Sequence, residues 1–551
     1  MMRNLLFTGP RLAGLCLLTL LAGVPTAPAS TKTPVVAKWG RFEQSFKSSL
    51  AYTNALQQAS LSMRFTSPLG NTFHVDGFWD GGKTWRVRFS PDQPGRWTFT
   101  TTCSDPANWG LHNQTGAFLC TAATGQSRFR QHGPVRVARD HRHFEQADGT
   151  PFFWLADTVW TGARVAEPKD WQFYALMRAY QGFSVAQWAV APGEDAKGQS
   201  AWTGFPDRIA INLEFFKRLD AKLVVLSRAG ILSAIVPLLE IPAQASAATA
   251  LPDDQAELLV RYVVARWGAE PVAWLLAFEG DNSAKNVGRW KRIGQAVFGS
   301  RPHAPVVLFP GTTHWLLDEF RDQEWVDVFA YQSVTDFTED ALKWMLAGPF
   351  ATEWTREPAR PVIPFAPLEN AVAAPFDKRF TSDNVRQAIY WSLLLTAPAG
   401  VSYGAQGVAN WDATVEPQDA QVKGADLPLW HKALFMPAAK QMSHLSKYMD
   451  SIDFWKLRPQ TKAVASQPSQ LSPRRFIAAA STEAKDLSLV YVPEDRAVEL
   501  FLDALPPAPL VSWFNPRTGN KNPSVAVVSS NTCQFPTPEP GDWLLVIKAG
   551  K

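Results

Sequence analysis

The hydrophobic pattern of the chain changes rhythm twice. Over residues 35–121 apolar and polar positions alternate in short runs. Residues 73–79 end at Asp80-Gly81-Gly82, residues 85–89 alternate apolar with basic side chains, and Pro91-Asp92-Gln93-Pro94-Gly95 precedes a further run at 97–102. Period-two alternation between such turns predicts an antiparallel β-sandwich. After Arg128 the apolar runs are separated by longer amphipathic stretches, the pattern of a parallel α/β fold. Strands are expected at 152–156, 184–190, 232–239, 273–278, 306–309, 328–332, 362–365 and 400–403, with helices such as 214–229, 255–267 and 384–395 between them. Eight such strands over roughly 300 residues predict a (β/α)8 barrel with decorated loops. From about residue 461 short strands return, at 476–480, 487–492, 497–502, 510–514 and 543–547, with Pro506, Pro507, Pro509 and Pro516 at their turns.

The expected fold class is therefore multidomain, α/β plus β. A central TIM barrel at 129–460 is flanked by β-sandwich domains at 30–128 and 461–551. Residues 1–29 read differently: Arg3 and Arg11 precede an apolar run at 12–24 that ends in Ala27-Pro28-Ala29, a small-residue cleavage pattern. The expectation is a cleaved export signal and a secreted or periplasmic protein. No later segment reaches the about 18 uninterrupted apolar residues that membrane insertion needs.

Composition adds little to that outline. The 551 residues are too many for one core, and 46% hydrophobic with 19% charged residues describes an ordinary globular chain. Removing 1–29 takes away two arginines and no acid, so the formal charge falls from +4 to +2. With no basic run, no nucleic-acid partner is implied. Three cysteines would remain; Cys103 and Cys120 flank a turn-rich segment and are candidates for a disulfide, with Cys533 left over. No metal-ligand spacing, nucleophile elbow or phosphate-binding glycine loop is present, so neither metal nor cofactor is expected. The 23 tryptophans are unusual, and flat aromatic faces suit both cores and sugar clefts.

The stretch 272–282, Val-Ala-Trp-Leu-Leu-Ala-Phe-Glu-Gly-Asp-Asn, carries the sharpest chemical signal. An apolar strand that ends in Glu279 delivers a carboxylate to the C-terminal face of a barrel, where the βα-loops gather. Asp281 lies two residues on and would be the working acid if Glu279 caps the next helix. Glu240, after Val236-Pro237-Leu238-Leu239, is a rival carboxylate at the end of the third strand.

Several segments resemble the apiosidase-like glycoside hydrolases. They are 133–137 with 147–160, the run Tyr262-Val-Val-Ala-Arg-Trp-Gly268 leading to Trp274 and Glu279, Tyr331-Gln332-Ser333, and Val385-Arg386 with 400–407 and Trp411. The flanks are similar too, Trp79-Asp80-Gly81 and Pro94-Gly95-Arg96-Trp97 to the family's N-terminal β-sandwich, and 487–493 with 513–519 to its C-terminal β-domain of collagen-binding type. The resemblance implies a retaining, exo-acting glycosidase with a carbohydrate substrate. Its paired carboxylates would be Glu279 as acid/base and a nucleophile at the end of the seventh strand. Members usually read Glu-Pro-x-Tyr-Glu there, whereas this chain has Ala366-Pro367-Leu368-Glu369-Asn370. Either Glu369 has taken the nucleophile role on a shortened loop, or the nucleophile is missing and the barrel binds carbohydrate, or serves in adhesion, without cleaving it. Substrate positioning falls to Asp157 and Trp160 after the first strand, Gln187 and Trp188 in the second, Gln332 in the sixth, and Tyr403 and Gln406 in and after the eighth.

Overall fold

The computed structural model describes residues 33–239, 251–277, 284–299, 301–310, 315–336, 338–373, 378–413, 428–468, 472–494 and 496–550. Its centre is a closed barrel of eight parallel strands. They are β1 (Trp154–Thr158), β2 (Val185–Ala189), β3 (Leu232–Val236), β4 (Val272–Ala277), β5 (Val306–Phe309), β6 (Val328–Gln332), β7 (Val362–Phe365) and β8 (Gly400–Gly404). Strands covered on both faces by protein are predominantly apolar, and every residue of β1 to β5, β7 and β8 is buried. The helices that matter below are α1 (Pro168–Tyr180), α2 (Leu213–Arg228), α3 (Asp253–Trp267), α4 (Ala284–Phe298), α5 (Glu339–Ala347), α6 (Ser382–Leu395) and α7 (Pro437–Met449).

Alternate strand residues build two separate cores. Trp154, Ala156, Val185, Ala234, Leu275, Ala277, Val307, Ile363 and Phe365 fill the barrel interior. Leu155, Trp188, Ile235, Trp274, Leu308 and Tyr403 point outward and pack with the helices. A small antiparallel sheet, Val135–Val137, Phe144–Gln146 and Pro151–Phe152, adds Phe144 and Phe152 to the interior cluster below Trp154. The closure is uneven. Five ladder pairs join β1 to β8, but a single pair, Phe365 with Ser402, joins β7 to β8.

On the N-terminal side a five-stranded sheet, ordered Val35–Ala37, Thr115–Thr121, Gly95–Cys103, Leu61–Thr66, Thr72–Asp76, faces a three-stranded one built from Phe42–Lys47, Thr84–Phe89 and Phe78–Trp79. Phenylalanines interlock between them, with Phe65 stacked on Phe89 and Phe42 on Phe118. The expected Cys103–Cys120 disulfide does not form: both thiols are free and buried, as is Cys533. Register explains this. Cys120 sits opposite Gly95, at the far end of the strand that Cys103 terminates, and eight residues of strand are roughly 27 Å. The C-terminal region is again two sheets, of six and three strands, closed over Trp513 and Trp543.

Buried ion pairs tie both flanking regions to the barrel. Arg266 on α3 reaches Asp220 on α2 at 3.0 and 2.7 Å and Asp80 of the sandwich at 3.1 Å. Arg386 on α6 makes a two-pronged contact with Asp542, 2.7 Å on each prong, and Tyr491 donates to the same carboxylate at 2.8 Å. Both partners are 2% exposed, so neither can turn to water if the other is removed. Arg386→Met is expected to cost about 3–5 kcal/mol by leaving the buried Asp542 with only the Tyr491 hydroxyl and a long, 3.8 Å contact to Arg517. The double variant Arg386→Met with Asp542→Leu should recover most of that loss; denaturant unfolding of the two proteins checks both values.

Candidate active site

The C-terminal mouth of the barrel is set by which strand residues face inward. Parallel register carries one facing across neighbouring strands: Thr158 pairs with Gln187, Gln187 with Ala234, Gln332 with Phe365, and Phe365 with Ser402. Ala234 and Phe365 belong to the interior core, so all these side chains point into the lumen. Three aromatic rings line one wall. Phe309 stacks on Phe365 with centroids 4.0 Å apart and planes at 11°, and the half-buried Trp160 lies parallel to Phe365 at 6.4 Å and 9°.

Amides and hydroxyls lie beside that wall. Gln187 Oε1 accepts from Ser402 Oγ at 2.6 Å and from Thr158 Oγ1 at 3.3 Å. Among the described residues its Nε2 has no partner although the side chain is fully buried, an open donor in the lumen. Gln332 Nε2 donates to the backbone oxygens of Val334 and Phe365 at 3.2 and 3.1 Å, which fixes the turn after β6. Gln406, half-buried beyond β8, donates its backbone N–H to the Glu369 carbonyl at 2.9 Å. Stacking faces beside directional donors and acceptors suit a ligand with both apolar faces and hydroxyl edges.

Four of the expected site residues lie on the other side of the wall. Asp157 pairs in register with Tyr403, and both face the helices. The Asp157 carboxylate takes Arg178 Nε at 2.8 Å, Arg178 Nη2 at 3.2 Å and the Tyr174 hydroxyl at 2.9 Å, with no surface exposed. Burial pushes this carboxyl up while the guanidinium opposes the shift. The sugar contact expected of Asp157 is therefore replaced by a structural ion pair with α1. Trp188 likewise packs edge-on against Trp267, 5.7 Å away, in the helix layer. Tyr403 donates its hydroxyl to Glu369 Oε2 at 2.7 Å instead of reaching a substrate.

Glu369 requires the largest correction. Its backbone bridges to Ala405 in the continuation of β8, and Ala405 is part of the outer core. Its Oε1 accepts from the Ala438 N–H at 3.2 Å in the first turn of α7, where unpaired backbone donors and the helix dipole favour a carboxylate. The residue is 4% exposed, and burial pushes its carboxyl up against the opposing pull of Tyr403 and Ala438. A carboxylate held this way between strand and helix is not a lumen nucleophile. Of the expected set, the structure brings Trp160, Gln187 and Gln332 together in the lumen with Gln406 beyond β8, and turns Asp157, Trp188, Tyr403 and Glu369 outward. Glu240, Glu279 and Asp281 lie outside the described residues.

Thr158, Ser402, Phe309 and Phe365 were not singled out from sequence, yet polar Thr158 and Ser402 interrupting apolar strands carry a readable signal. Among the described residues, no group of three or more His, Cys, Asp or Glu side chains could hold a metal ion, and no helix is long and apolar enough to cross a membrane.

Comparison with known families gives a consistent outline. Residues 138–456, more than half of the chain, match the family described as "Apiosidase-like, catalytic domain". Residues 35–104 match a domain of unknown function, and residues 459–548 a "Putative collagen-binding domain of a collagenase". No curated protein matches the chain. Among solved structures, a "putative glycoside hydrolase" from Bacteroides vulgatus ATCC 8482 is 18% identical with a TM-score of 0.67, and the match covers 94% of this chain and 100% of that one. A glycoside hydrolase family 5 structure from the same organism is 20% identical with a TM-score of 0.65, over 77% of this chain and 95% of that one. At these identities the likeness is one of fold.

The position of Glu369 sets a clear expectation. Glu369→Gln offers one acceptor oxygen where two are used, so either the Ala438 N–H or the Tyr403 hydroxyl loses its acceptor and stability should fall by about 1–3 kcal/mol. Turnover per folded molecule should stay within a few-fold of the parent. Loss of turnover in a fully stable variant, with rescue by azide, would return Glu369 to the reaction.

Proposed function

The chain belongs to the apiosidase-like family, and on that basis we propose that it is an exported glycoside hydrolase that removes a terminal sugar from polysaccharide side chains. The observation that carries this reading is the mouth itself: the parallel rings of Trp160 and Phe365 beside the amide of Gln187. A ring wall takes the apolar face of a sugar, and an unspent donor takes a hydroxyl. Glu279 is assigned as the proton donor to the leaving oxygen. Ala273, Leu275 and Ala277 of β4 face the lumen, and Glu279 follows that strand in the sequence, at the position that the family resemblance gives to the acid/base. This assignment is part of the proposal.

The double displacement expected from the family pattern loses its nucleophile once Glu369 is bound to Tyr403 and α7. The second carboxylate is therefore assigned to a residue other than Glu369, and its separation from Glu279 decides between retention and inversion at the anomeric carbon. One further reading has its own support: Ala366 and the withdrawn Glu369 leave the end of β7 without a lumen acid among the described residues, which suits a barrel that binds a glycan without cleaving it.

A hydrolysis screen on plant and microbial polysaccharides, followed by NMR of the released anomer, tests the main reading. The parent should release monosaccharide, and the configuration of the released anomer shows whether the second carboxylate attacks the sugar or activates water. Glu279→Gln should lower kcat by about 10²–10⁴-fold with unchanged thermal stability. Trp160→Ala should raise KM about three- to tenfold. Glycan binding with no sugar released would establish the binding barrel instead.

A further inference from the structure

At the opposite, N-terminal end of the barrel a cleft of about 320 Å³ opens between the N-terminal sandwich and the helix layer. Its size falls at the lower end for small-molecule sites. On the barrel side one stripe of α3 faces it, Arg261, Val264 and Ala265, continued by Gly268 just past the helix end. Spacings of three, four and seven place these residues on one helical face, and the small residues at 265 and 268 leave the space unfilled. On the sandwich side stand Phe73 and Val75, both half-buried, and Asp76 at the end of the same strand. Phe89 and Phe298 add further apolar wall.

The charges around this apolar body are asymmetric. Four arginines, Arg88, Arg136, Arg261 and Arg301, line the cleft against three carboxylates, Asp76, Asp92 and Glu270. Several are paired with groups outside the cleft: Arg88 with Glu43, Arg136 with Glu145, and Glu270 with Arg41. Arg261 donates to Glu257 at 2.8 Å as well as to Asp76 at 3.3 Å. Arg301 is different. Asp76 is its only ion-pair partner among the described residues, through Nη1, and its side chain is 31% exposed. Among the described residues its Nε and Nη2 donate no hydrogen bond, and the planar guanidinium suits a carboxylate.

We propose that this interdomain cleft is a ligand site for a small, flat, apolar monocarboxylate, with its ring against Phe73 and the α3 stripe and its carboxylate on Arg301. The site is independent of the barrel mouth and of the reaction assigned to it.

Benzoate is the probe, titrated calorimetrically into the full-length protein, with benzyl alcohol as the neutral analogue of the same shape. Benzoate should bind at a single site, and benzyl alcohol about tenfold more weakly or worse. Arg301→Gln should bring benzoate down to the level of benzyl alcohol. Ala265→Leu, which fills the cleft with a residue that helices accept, should abolish binding while the circular dichroism spectrum stays that of the parent. The proposal is overturned if millimolar benzoate gives no binding to the parent, if benzyl alcohol binds as well as benzoate, or if both variants bind benzoate as the parent does.

Discussion

A charge removed from water has to be answered, and in this barrel that constraint decides which carboxylates remain for chemistry. Asp157 carries its charge into the space between β1 and α1, where no solvent reaches it. Arg178 answers it, and the guanidinium in turn lies against the rings of Phe183 and Tyr403, 4.8 and 5.7 Å from their centroids. Tyr403 passes the hydrogen bonding on to Glu369, and Glu369 ends it at the start of α7. One connected polar set therefore links β1, α1, β8, the loop after β7, and α7. Buried networks of this kind are costly when half satisfied and rigid when complete. Glu369 is held by the network's need for an acceptor, which is the physical reason it is absent from the lumen.

The same set shows what could be read from the sequence. All eight strands fall within two residues of their expected starts, because doubly covered parallel strands appear as short apolar runs and few other segments do. That same property hides the phase. When both faces of a strand are buried, nothing in the run Trp154-Leu155-Ala156-Asp157-Thr158 says which set of alternate residues faces the lumen, and a shift of one residue exchanges every side chain. The sequence therefore names Asp157, Trp188 and Tyr403 beside Gln187 without separating the lumen face from the helix face. Tyr174 and Arg178, one helical turn apart on α1, were the available clue to a buried acid behind the strand. The partners of Glu369 are 34 and 69 residues away along the chain, beyond the reach of local pattern.

Tryptophan illustrates how composition divides between structure and site. Trp154, Trp171, Trp188, Trp267, Trp274, Trp290, Trp325 and Trp391 are fully buried within the barrel region, and Trp97, Trp513 and Trp543 within the flanking sheets. Most of the aromatic excess therefore serves packing. Trp160 stands at the mouth, half-buried beside Phe365.

The single ladder pair between β7 and β8 gives the barrel a seam. Past Phe365 the Ala366 N–H donates to the Ser402 carbonyl at 2.9 Å, and beyond it Glu369 donates to the Gly404 carbonyl and accepts from Gln406, each at 2.9 Å. A local opening that released the Glu369 side chain would therefore free both of these amides with it. Protection of the Glu369 and Gln406 amides from solvent exchange is then coupled to the docking of α7, on the far side of the barrel wall. The rim of the mouth at Gln406 thereby inherits its rigidity from a carboxylate that never faces it.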